Sequence, residues 1–427
     1  MKKPRILIYM HYMAIGGAER SLLGLLNELD VERVDIDLFL NYHNGEFMPL
    51  IPKKINLLSE EKHYKALETH IKDAFKDGCW GVASSRVLSK VVKYLYFKKH
   101  KDEKDDDGYI TAKLAVRFLP QINPNVEYDL AISFLTPHVN CLNKVWAKRK
   151  VAWIHTDYST LKMTKNIVLP YWKQYDNIIS ISTDVTKTFV EVFPSLKDKI
   201  IEIENILSTV FIRQQAELFD VCNEMPLLNN DKCLNIISIG RFCYQKNFEN
   251  IPFIASKLLD YLSIGRNDFA KKDDNQPNNT RSVVEYEFTD LRWYLIGFGS
   301  DETLIRQKIA EAGMENHIII IGKKDNPYPY IKACDLYVQP SRYEGKSVTV
   351  REAQILCKPV IVTNYPTSKS QIKDGIDGII VPLDNDACAR GIADAISNPR
   401  LIKSIIKYLQ THDYGNECEV DKIYSLL

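Results

Sequence analysis

Residues 5–29 read RILIYMHYMAIGGAERSLLGLLNEL, and this stretch predicts the fold class. The apolar run Arg5–Met10 has the length and composition of a buried strand. A helical pattern of apolar residues follows over Ala18–Leu29, and a turn that contains Gly16 and Gly17 joins the two segments. A buried strand that leads directly into an amphipathic helix is the unit from which parallel α/β sheets are built.

The same alternation of strand and helix recurs along the chain. In the first half, further strands are predicted at Ile36–Leu40, Leu130–Phe134, Val151–Ile154 and Asn177–Ser182. In the second half they are predicted at Leu234–Ile239, Trp293–Ile296, Ile318–Ile321, Leu336–Val338, Pro359–Val362 and Gly378–Val381. Helical patterns lie between them, for example over Lys187–Val192 and Val348–Cys357. The alternation predicts an α/β protein with mostly parallel sheets flanked by helices.

The chain has 427 residues, which is ample for two α/β domains. The alternation pauses near Asn205 and resumes near Cys233. This pause predicts a boundary between a first domain over residues 1–205 and a second domain over residues 206–400.

Three segments depart from the alternation. Residues 62–109 are lysine-rich with mostly helical periodicity, and they are interpreted as a basic helical insert in the first domain. Residues 266–282 are polar and poor in aliphatic side chains, which is typical of a surface loop. Residues 401–427 have helical patterning without a following strand, so we expect a terminal helix that packs back on the domain junction.

Composition argues against several classes of protein. The formal net charge of +1 provides no global attraction to nucleic acid or to an anionic membrane. Nine scattered cysteines without a C-x-x-C pair suggest neither a zinc site nor a disulfide framework. The sequence contains no run of about 18 apolar residues and begins without a signal-peptide pattern, so a cytoplasmic protein is expected.

The turn after the first predicted strand is a candidate phosphate site. Gly16 and Gly17 allow a ligand to approach the backbone, and the helix that follows presents unpaired N–H groups and a positive dipole end. The alternative is a tight turn that needs glycine for its backbone angles. The spacing is not G-x-G-x-x-G, so the dinucleotide fingerprint is missing.

Arg241 and Lys246 follow the predicted strand Leu234–Ile239 and would lie where open α/β sheets bind ligands. A guanidinium fork and a mobile ammonium together suit a diphosphate. The alternative is a pair of solvated loop cations.

The segment Pro340–Ala353 has the richest combination of polar residues. Glu344 lies in a loop beside Gly345, Lys346 and Ser347, where the backbone N–H groups at a helix start could hold a phosphate or a sugar. Glu352 lies about a turn and a half inside that helix, and its carboxylate suits two ribose hydroxyls. Alternatively, Glu344 is a solvated loop acid and Glu352 pairs with a nearby cation.

Several motifs together carry a resemblance to a known family. Along the chain these motifs are the early Gly-Gly turn, the G-R-x4-K of Gly240–Lys246, Gly297-Phe298-Gly299, Asn326-Pro327-Tyr328, and the E-x7-E of Glu344 and Glu352. The chain thereby resembles retaining glycosyltransferases of sequence family four, the glycosyl transferases group 1. The resemblance implies the GT-B fold, in which two Rossmann-like domains face each other across a cleft.

The resemblance also implies a role for each matching residue. Gly16 and Gly17 would contact the donor diphosphate, and Arg241 and Lys246 would neutralise it. Glu344 would contact the transferred sugar and Glu352 the ribose, with Gly345, Lys346 and Ser347 at the donor phosphate or sugar. The turn Gly322–Lys324 would lie near the base. His155, after the strand Val151–Ile154, would lie beside the reacting sugar, the alternative being a structural histidine; Asp157 is a lesser candidate.

The expected activity is therefore hexosyl transfer with retention of configuration. The donor would be a nucleotide-sugar, UDP-linked by analogy, carrying a hexose or N-acetylhexosamine, and no other cofactor is expected. The acceptor would be a glycan or a lipid-linked saccharide in cell-surface polysaccharide assembly. Asp105–Asp107 lies in a lysine-flanked polar stretch and is interpreted as a solvated loop, so metal-independent transfer is expected.

The basic segment 86–99 alternates apolar and cationic residues at helical spacing. Such a helix can lie on an anionic membrane and bring the active site to a lipid-linked acceptor. The alternative is a lysine-rich helix that packs its apolar stripe on its own domain. For the whole chain, the rival interpretations are a non-catalytic nucleotide-sugar-binding or scaffold protein, a phosphorylase or epimerase of similar architecture, and a dehydrogenase.

Overall fold

The computed structural model describes residues 3–104, 108–156, 158, 161, 163–226, 232–270, 288, 290–344 and 346–427, with the backbone alone over 263–270. The chain divides into two compact units. The first unit consists of Met1–Ser208 together with Asn416–Leu427, and the second consists of Thr209–Gly415.

The first unit is built on a parallel sheet, which has seven strands among the described residues in the order β3-β2-β1-β4-β5-β6-β7. The strands are β1 (Arg5–Met10), β2 (Asp35–Leu40), β3 (Asn56–Leu57), β4 (Tyr128–Ser133), β5 (Ala147–Ile154), β6 (Asn177–Ser180) and β7 (Ile200–Glu202). The helices are α1 (Gly17–Glu28), α2 (Lys62–Glu68), α3 (Ile71–Lys76), α4 (Trp80–Lys99), α5 (Tyr109–Ala115), α6 (Val139–Lys144), α7 (Lys165–Trp172) and α8 (Thr183–Val192).

The second unit contains a parallel sheet with six strands among the described residues, in the order β10-β9-β8-β11-β12-β13. The strands are β8 (Cys233–Ile239), β9 (Asp290–Ile296), β10 (Ile318–Gly322), β11 (Leu336–Gln339), β12 (Val360–Thr363) and β13 (Ile379–Val381). Its helices are α9 (Thr209–Gln215), α10 (Ile251–Ala270), α11 (Glu302–Glu311), α12 (Tyr328–Ala333), α13 (Val348–Ile355), α14 (Ser368–Gln371), α15 (Asn385–Ile396) and α16 (Pro399–Thr411), and α17 (Val420–Tyr424) lies in the first unit.

Strand β1 explains why the sequence forms a doubly covered sheet. Its alternate residues Ile6 and Ile8 are fully buried in one core cluster with Leu22 of α1. Leu7 and Tyr9 point the other way and are buried in a second cluster with residues of α2 to α4. A strand that is apolar on both faces can satisfy both only between two layers of helices. The predicted α/β class with two parallel sheets is confirmed.

Two short strands were missing from the sequence analysis. Strand β3 is Asn56–Leu57 and strand β7 is Ile200–Glu202, and both are edge strands of the first sheet. Runs of two or three residues have too few positions to show a period, so sequence patterning does not detect them.

Two predicted boundaries were wrong. The strand expected at Asn177–Ser182 ends at Ser180, because Ser182 accepts a hydrogen bond from the Val185 N–H at 3.2 Å and thereby starts α8. The polar loop expected at 266–282 begins inside a helix, because α10 continues to Ala270. The remainder of that loop, residues 271–282, lies outside the described residues, as do Asp105–Asp107, Asp157 and Gly345.

The strand order places a topological switch point in each sheet. In the first sheet the order reverses between β1 and β4, and in the second it reverses between β8 and β11. Loops that leave the carboxyl ends of two such strands diverge to opposite faces and open a crevice, which is where open α/β sheets bind ligands. The loops after β1, β4, β8 and β11 are therefore the places to look for a site.

Candidate active site

The loops after β8 and β11 are joined by an ion pair. Lys246 Nζ lies 2.5 Å from Glu344 Oε1, and the side chains are only 16% and 7% exposed. The two loops are also held by the Arg342 N–H, which donates to Gln245 O at 2.9 Å, and by Asn247 Nδ2, which donates to Pro340 O at 2.9 Å. Residues that are 98 positions apart thus form one rigid corner at the switch point. We call the polar residues of this corner, together with Arg241 and Glu352, the second-sheet edge.

A series of hydrogen-bonded, buried polar side chains leads to the Glu344 carboxylate. Gln339 Nε2 donates to Ser341 Oγ at 2.8 Å, and Ser341 Oγ donates to Glu344 Oε1 at 2.6 Å. The Tyr337 hydroxyl donates to Gln339 Oε1 at 2.7 Å. Because Gln339 and Ser341 are fully buried, these hydrogen bonds fix the orientation of the Glu344 carboxylate.

The cationic residues of this edge differ in their surroundings. Arg241 is exposed, and it makes no hydrogen bond or ion pair with another residue that the structure describes. Lys346 is also exposed at the start of α13. The Ser347 N–H at that helix start donates to Gln371 Oε1 at 3.0 Å, and Gln371 Nε2 donates back to Ser347 O at 2.6 Å. This first amide of the helix is therefore satisfied within the protein.

Glu352 is fully buried in α13, and the Tyr328 hydroxyl donates to its Oε1 at 2.9 Å. Asn326 Oδ1 in turn accepts from the Tyr328 N–H at 3.1 Å, and Asn326 Nδ2 donates to Gln215 O at 2.7 Å. The Asn-Pro-Tyr motif found in the sequence therefore contacts Glu352 through the Tyr328 hydroxyl.

The glycines after β8 and β9 permit a close approach of two backbones. A Cβ at Gly297, whose φ is +153°, would lie 1.9 Å from Gly240 O. A Cβ at Gly299 would lie 2.2 Å from Phe242 O. Between them Phe298 is half exposed, with Lys323 Nζ 5.2 Å from the centre of its ring. The Gly-Phe-Gly motif thus presents an aromatic face beside a cation.

The first sheet carries histidines at the same kind of position. His11, His43, His138 and His155 follow β1, β2, β4 and β5, which are neighbours in the sheet. We call these four residues the first-sheet edge. Within the part of the chain that the structure describes, both ring nitrogens of His155 and the Nε2 atoms of His11, His43 and His138 are buried without a hydrogen-bond partner.

Burial keeps the imidazoles of His155, His138 and His11 neutral. It lowers the pKa of His155 to about 3, and the Asn205 side chain and the Phe134 backbone offset only part of that effect. Burial also lowers the pKa of His138 well below its ordinary value, and the nearby rings of His11 and His155 lower it further. For His11, burial lowers the pKa and the Glu68 carboxylate opposes it. A neutral imidazole can both donate and accept one hydrogen bond, as a sugar hydroxyl requires.

The Gly-Gly turn has an electrostatic feature that the sequence analysis did not weigh. A Cβ at Gly16 would lie 2.1 Å from Glu19 Oε2, so a carboxylate packs against this turn in the first turn of α1. No described atom lies within 4 Å of a Cβ built on Gly17. Gly17 therefore faces open space, and its lack of a side chain is not required by packing.

Sequence analysis missed several polar residues that the structure brings to these edges. They are Gln339, Ser341 and Gln371 in the second unit, and His11, Asn41, Glu68 and His138 in the first. Asn41 Nδ2 donates to Glu68 Oε1 at 2.8 Å, and Asn41 Oδ1 accepts from the fully buried Tyr9 hydroxyl at 2.7 Å. The available signal was position, because most of them follow a predicted strand within a few residues.

The described residues contain neither a metal-binding cluster nor a membrane-spanning helix. Among them, no group of three or more histidine, cysteine, aspartate or glutamate side chains is arranged to hold a metal ion. None of the described helices combines the length and the apolar character that crossing a membrane requires.

The part of the chain that matches a known family lies within the second unit. Residues 226–412 match the model of the family described as glycosyl transferases group 1. An uncharacterized glycosyltransferase of Methanocaldococcus jannaschii is 24% identical over 275 residues, which are 62% of this chain and 60% of that protein. The N-acetylgalactosamine-N,N'-diacetylbacillosaminyl-diphospho-undecaprenol 4-alpha-N-acetylgalactosaminyltransferase of Campylobacter jejuni is 26% identical over 162 residues, 38% of this chain and 42% of that protein. The chain thus spans less than two thirds of the length of these relatives.

Comparison with solved structures covers nearly the whole chain. The crystal structure of Anabaena HepE in complex with UDP and glucose is similar with a TM-score of 0.61 and 13% identity. The match covers 99% of this chain and 98% of the other. At this identity the likeness concerns the fold, and it confirms the GT-B class that the resemblance implied.

Proposed function

We propose that this chain, whose residues 226–412 match the glycosyl transferases group 1 family, is a retaining and metal-independent glycosyltransferase. It transfers a hexose or N-acetylhexosamine from a nucleotide-sugar, with UDP as the nucleotide. The acceptor is a glycan or lipid-linked saccharide, and the reaction belongs to the assembly of a cell-surface polysaccharide. We place the enzyme in the cytoplasm, with a peripheral contact to the inner face of the membrane.

One observation carries the proposal, namely the ion pair of Lys246 and Glu344 at the β8–β11 switch point, 2.5 Å long and held from below by Ser341. An ammonium and a carboxylate kept together at a ligand-binding crevice offer a cation for a phosphate and an acceptor for sugar hydroxyls within one small volume.

The donor binds at the second-sheet edge in this proposal. Lys246 has three N–H donors, so it binds a phosphate oxygen while it keeps its contact with Glu344. The exposed guanidinium of Arg241 binds the diphosphate in a forked geometry. These two cations and the amides at the start of α13 stabilise the charge that develops on the leaving diphosphate, which is why no metal ion is required. Glu352 accepts the ribose hydroxyls with Tyr328 beside it.

Retention follows from transfer on one face of the sugar. The bond between the anomeric carbon and the diphosphate oxygen breaks, and the acceptor oxygen attacks from the same side. The departing phosphate oxygen takes the proton of the acceptor hydroxyl. Glu344 suits the role of a sugar-positioning group rather than a nucleophile, because its Oε1 already accepts from both Lys246 and Ser341.

The acceptor half of the reaction is assigned to the first-sheet edge. The neutral ring of His155 positions the reacting sugar or the acceptor hydroxyl, and His11 and His138 extend the same row of imidazoles. Gly16 and Gly17 contact the donor diphosphate through their backbone, and the open space beside Gly17 supports this assignment.

A donor panel tests the proposal. Purified full-length protein would be mixed with UDP-, GDP- and ADP-sugars and a membrane extract that supplies acceptors, with EDTA present, and released nucleotide would be measured. We expect release from one UDP-sugar, stimulated by the extract. Arg241→Gln abolishes most of it, whereas the control Arg306→Gln leaves it unchanged, because Arg306 is exposed on α11 and pairs with Glu302 of the same helix.

Three other results would each reject a part of the proposal. Release from a GDP- or ADP-sugar alone would exclude UDP as the nucleotide. Activity that appears only when EDTA is replaced by a divalent cation would exclude the metal-independent mechanism. Donor binding measured by calorimetry without turnover on any extract would favour a non-catalytic binding protein.

A further inference from the structure

Helix α4 presents a row of large apolar side chains to solvent. The row consists of Trp80, Val87, Leu88, Val91, Tyr94 and Leu95, which are between 45% and 68% exposed. Their spacing of three, four and seven residues places them on one side of the helix. Large exposed apolar patches on soluble proteins mark interaction sites more often than chance.

The row is not the side by which α4 packs on its own unit. The buried residues of the helix are Val82, Ala83, Ser85 and Ser89, which are small and lie on another face. Arg86 fastens the helix, since its Nη1 donates to Ala66 O at 2.5 Å and to Thr69 O at 2.7 Å. The helix therefore packs on its own unit through these small residues, and the larger apolar side chains of the row lie outside that packing face.

The charge of α4 indicates what covers the row. The helix carries five lysines and arginines and no aspartate or glutamate, although the whole chain has a formal net charge of only +1. Lys90, Lys98 and Lys99 are exposed beside or within the row. A second copy of the chain would bring two such cationic helices together, which is unfavourable. An anionic lipid surface complements both the apolar row and the lysines.

We propose that α4 is a membrane-docking helix that lies in the plane of an anionic lipid bilayer surface. The apolar row enters the boundary between headgroups and acyl chains, and Lys90, Lys98 and Lys99 contact lipid phosphates. A lipid surface would carry the lipid-linked acceptor of the proposed function. In that respect the inference rests on the proposed function. Docking itself is a property of the first unit and is measured without any transfer reaction.

Vesicle flotation of the full-length protein tests the proposal. Vesicles of phosphatidylcholine with 30% phosphatidylglycerol would be compared with vesicles of phosphatidylcholine alone. We expect partition into the anionic vesicles that is at least tenfold stronger and that falls as salt increases. The variant Val91→Asp/Leu95→Asp weakens it at least tenfold, and Lys90→Gln/Lys98→Gln/Lys99→Gln weakens it by about a hundredfold, since each lysine contributes about a factor of five near such a surface.

A matched control keeps the test specific. Val210→Asp/Leu218→Asp makes the same changes at two residues of the second unit that are 64% and 61% exposed, and it should leave partition unchanged. Far-UV circular dichroism and thermal unfolding verify that each variant is folded.

Several outcomes would overturn the proposal. They are wild-type protein that does not float with anionic vesicles, an α4 variant that floats as well as wild type, or a control variant that loses as much. A concentration-dependent dimer that Val91→Asp/Leu95→Asp abolishes would show instead that the row is an interface between two copies. An α4 variant that loses transfer to membrane acceptors but still releases nucleotide with a soluble acceptor would support docking. Wild-type protein that docks without any transferase activity would reject the proposed function and leave docking intact.

Discussion

The two sheet edges are equivalent positions of two parallel sheets, yet they handle polar groups in opposite ways. At the second-sheet edge, Glu344 is paired with Lys246, and Glu352 accepts from Tyr328. At the first-sheet edge, the buried ring nitrogens of His155 make no hydrogen bond of normal geometry among the described residues, although the Asn205 side chain and the Phe134 backbone lie close enough to raise its pKa in part. A buried polar atom without a hydrogen bond costs roughly 1–3 kcal/mol, so the first edge is the more strained of the two.

The difference is consistent with the ligand proposed for each edge. Charged groups in a protein interior must be paired before any ligand arrives, because an unpaired buried charge is too unfavourable. Neutral imidazoles tolerate burial better, since they lose their charge instead. A preassembled charged corner suits a diphosphate sugar, and a row of neutral rings suits uncharged hydroxyls. The following predictions test that contrast, beginning with the largest effect.

Breaking the ion pair should have the greatest consequence. Glu344→Gln should lower the transfer rate by about a hundredfold or more, as loss of a preorganised polar contact in an active site typically does. It should also lower the free energy of unfolding by about 2 kcal/mol, less than for a fully buried pair because the Lys246 side chain is 16% exposed. Steady-state kinetics and urea unfolding measure the two effects.

The double variant Lys246→Met/Glu344→Gln separates stability from function. It removes both charges, so we expect most of the stability to return while transfer stays lost. If the double variant regained activity along with stability, the ion pair would be structural and the contrast between the edges would fail.

Acid should destabilise the first unit through its histidines. His155 is neutral in the folded protein because its pKa is about 3, whereas it is protonated in the unfolded chain below about pH 6.5. Protonation of His155 in the unfolded chain therefore has no effect on the free energy of unfolding above pH 6.5. It lowers that free energy progressively as the pH falls from 6.5 towards 3. At pH 5 this loss amounts to about 2 kcal/mol.

The variant His155→Gln should remove that dependence. The difference in unfolding free energy between wild type and variant should shrink by about 2 kcal/mol between pH 7 and pH 5. His412→Gln alters an exposed histidine and should show no such change. A constant difference for His155→Gln across this range would contradict the neutral, buried state of the ring.

Gly17→Ala should affect the ligand without affecting the fold. Because no described atom lies within 4 Å of a Cβ at Gly17, unfolding should be unchanged. The methyl group would occupy the space next to the turn, and donor affinity should fall about tenfold, or about 1.4 kcal/mol. Calorimetric titration with the donor measures it.

Gly24→Ala is the matched contrast in the same helix. A Cβ at Gly24 would lie 1.9 Å from Ile206 O, so this variant should be destabilised or unfolded. Equal donor affinity in Gly17→Ala and wild type would remove the turn from the proposed diphosphate site.

The smallest effect is expected at Tyr328. Tyr328→Phe deletes the hydroxyl that donates to Glu352 Oε1, which should raise the KM for the donor about fivefold, or about 1 kcal/mol, with kcat little changed. Tyr330→Phe, in the same helix, deletes a hydroxyl that donates to Glu224 Oε1 and should leave KM unchanged. An unaltered KM in Tyr328→Phe would show that the Tyr328 hydroxyl does not contribute to donor binding through Glu352.

Sequence patterning predicted the long elements and missed what depends on few residues. Strands β1 and β8 were found because most of their six and seven residues are apolar, which leaves little ambiguity. The edge strands β3 and β7 were missed because hydrogen bonding to a neighbour, rather than their own composition, creates them. In the candidate site, Glu344, Glu352, Arg241 and Lys246 were found by motif, but Gln339 and Ser341 belong to no motif and became visible only through their contacts.

Local patterns in the sequence are sufficient to predict the α/β class, most strand positions and the candidate charged residues, because strand and helix periods are local and motifs keep their spacing. Three further features depend on the folded chain. Folding joined Lys246 to Glu344 across 98 positions, it made His155 neutral by burying it, and it turned the larger apolar side chains of α4 towards solvent. Each depends on which surfaces meet when the chain folds, and an amphipathic or polar pattern does not specify its partner.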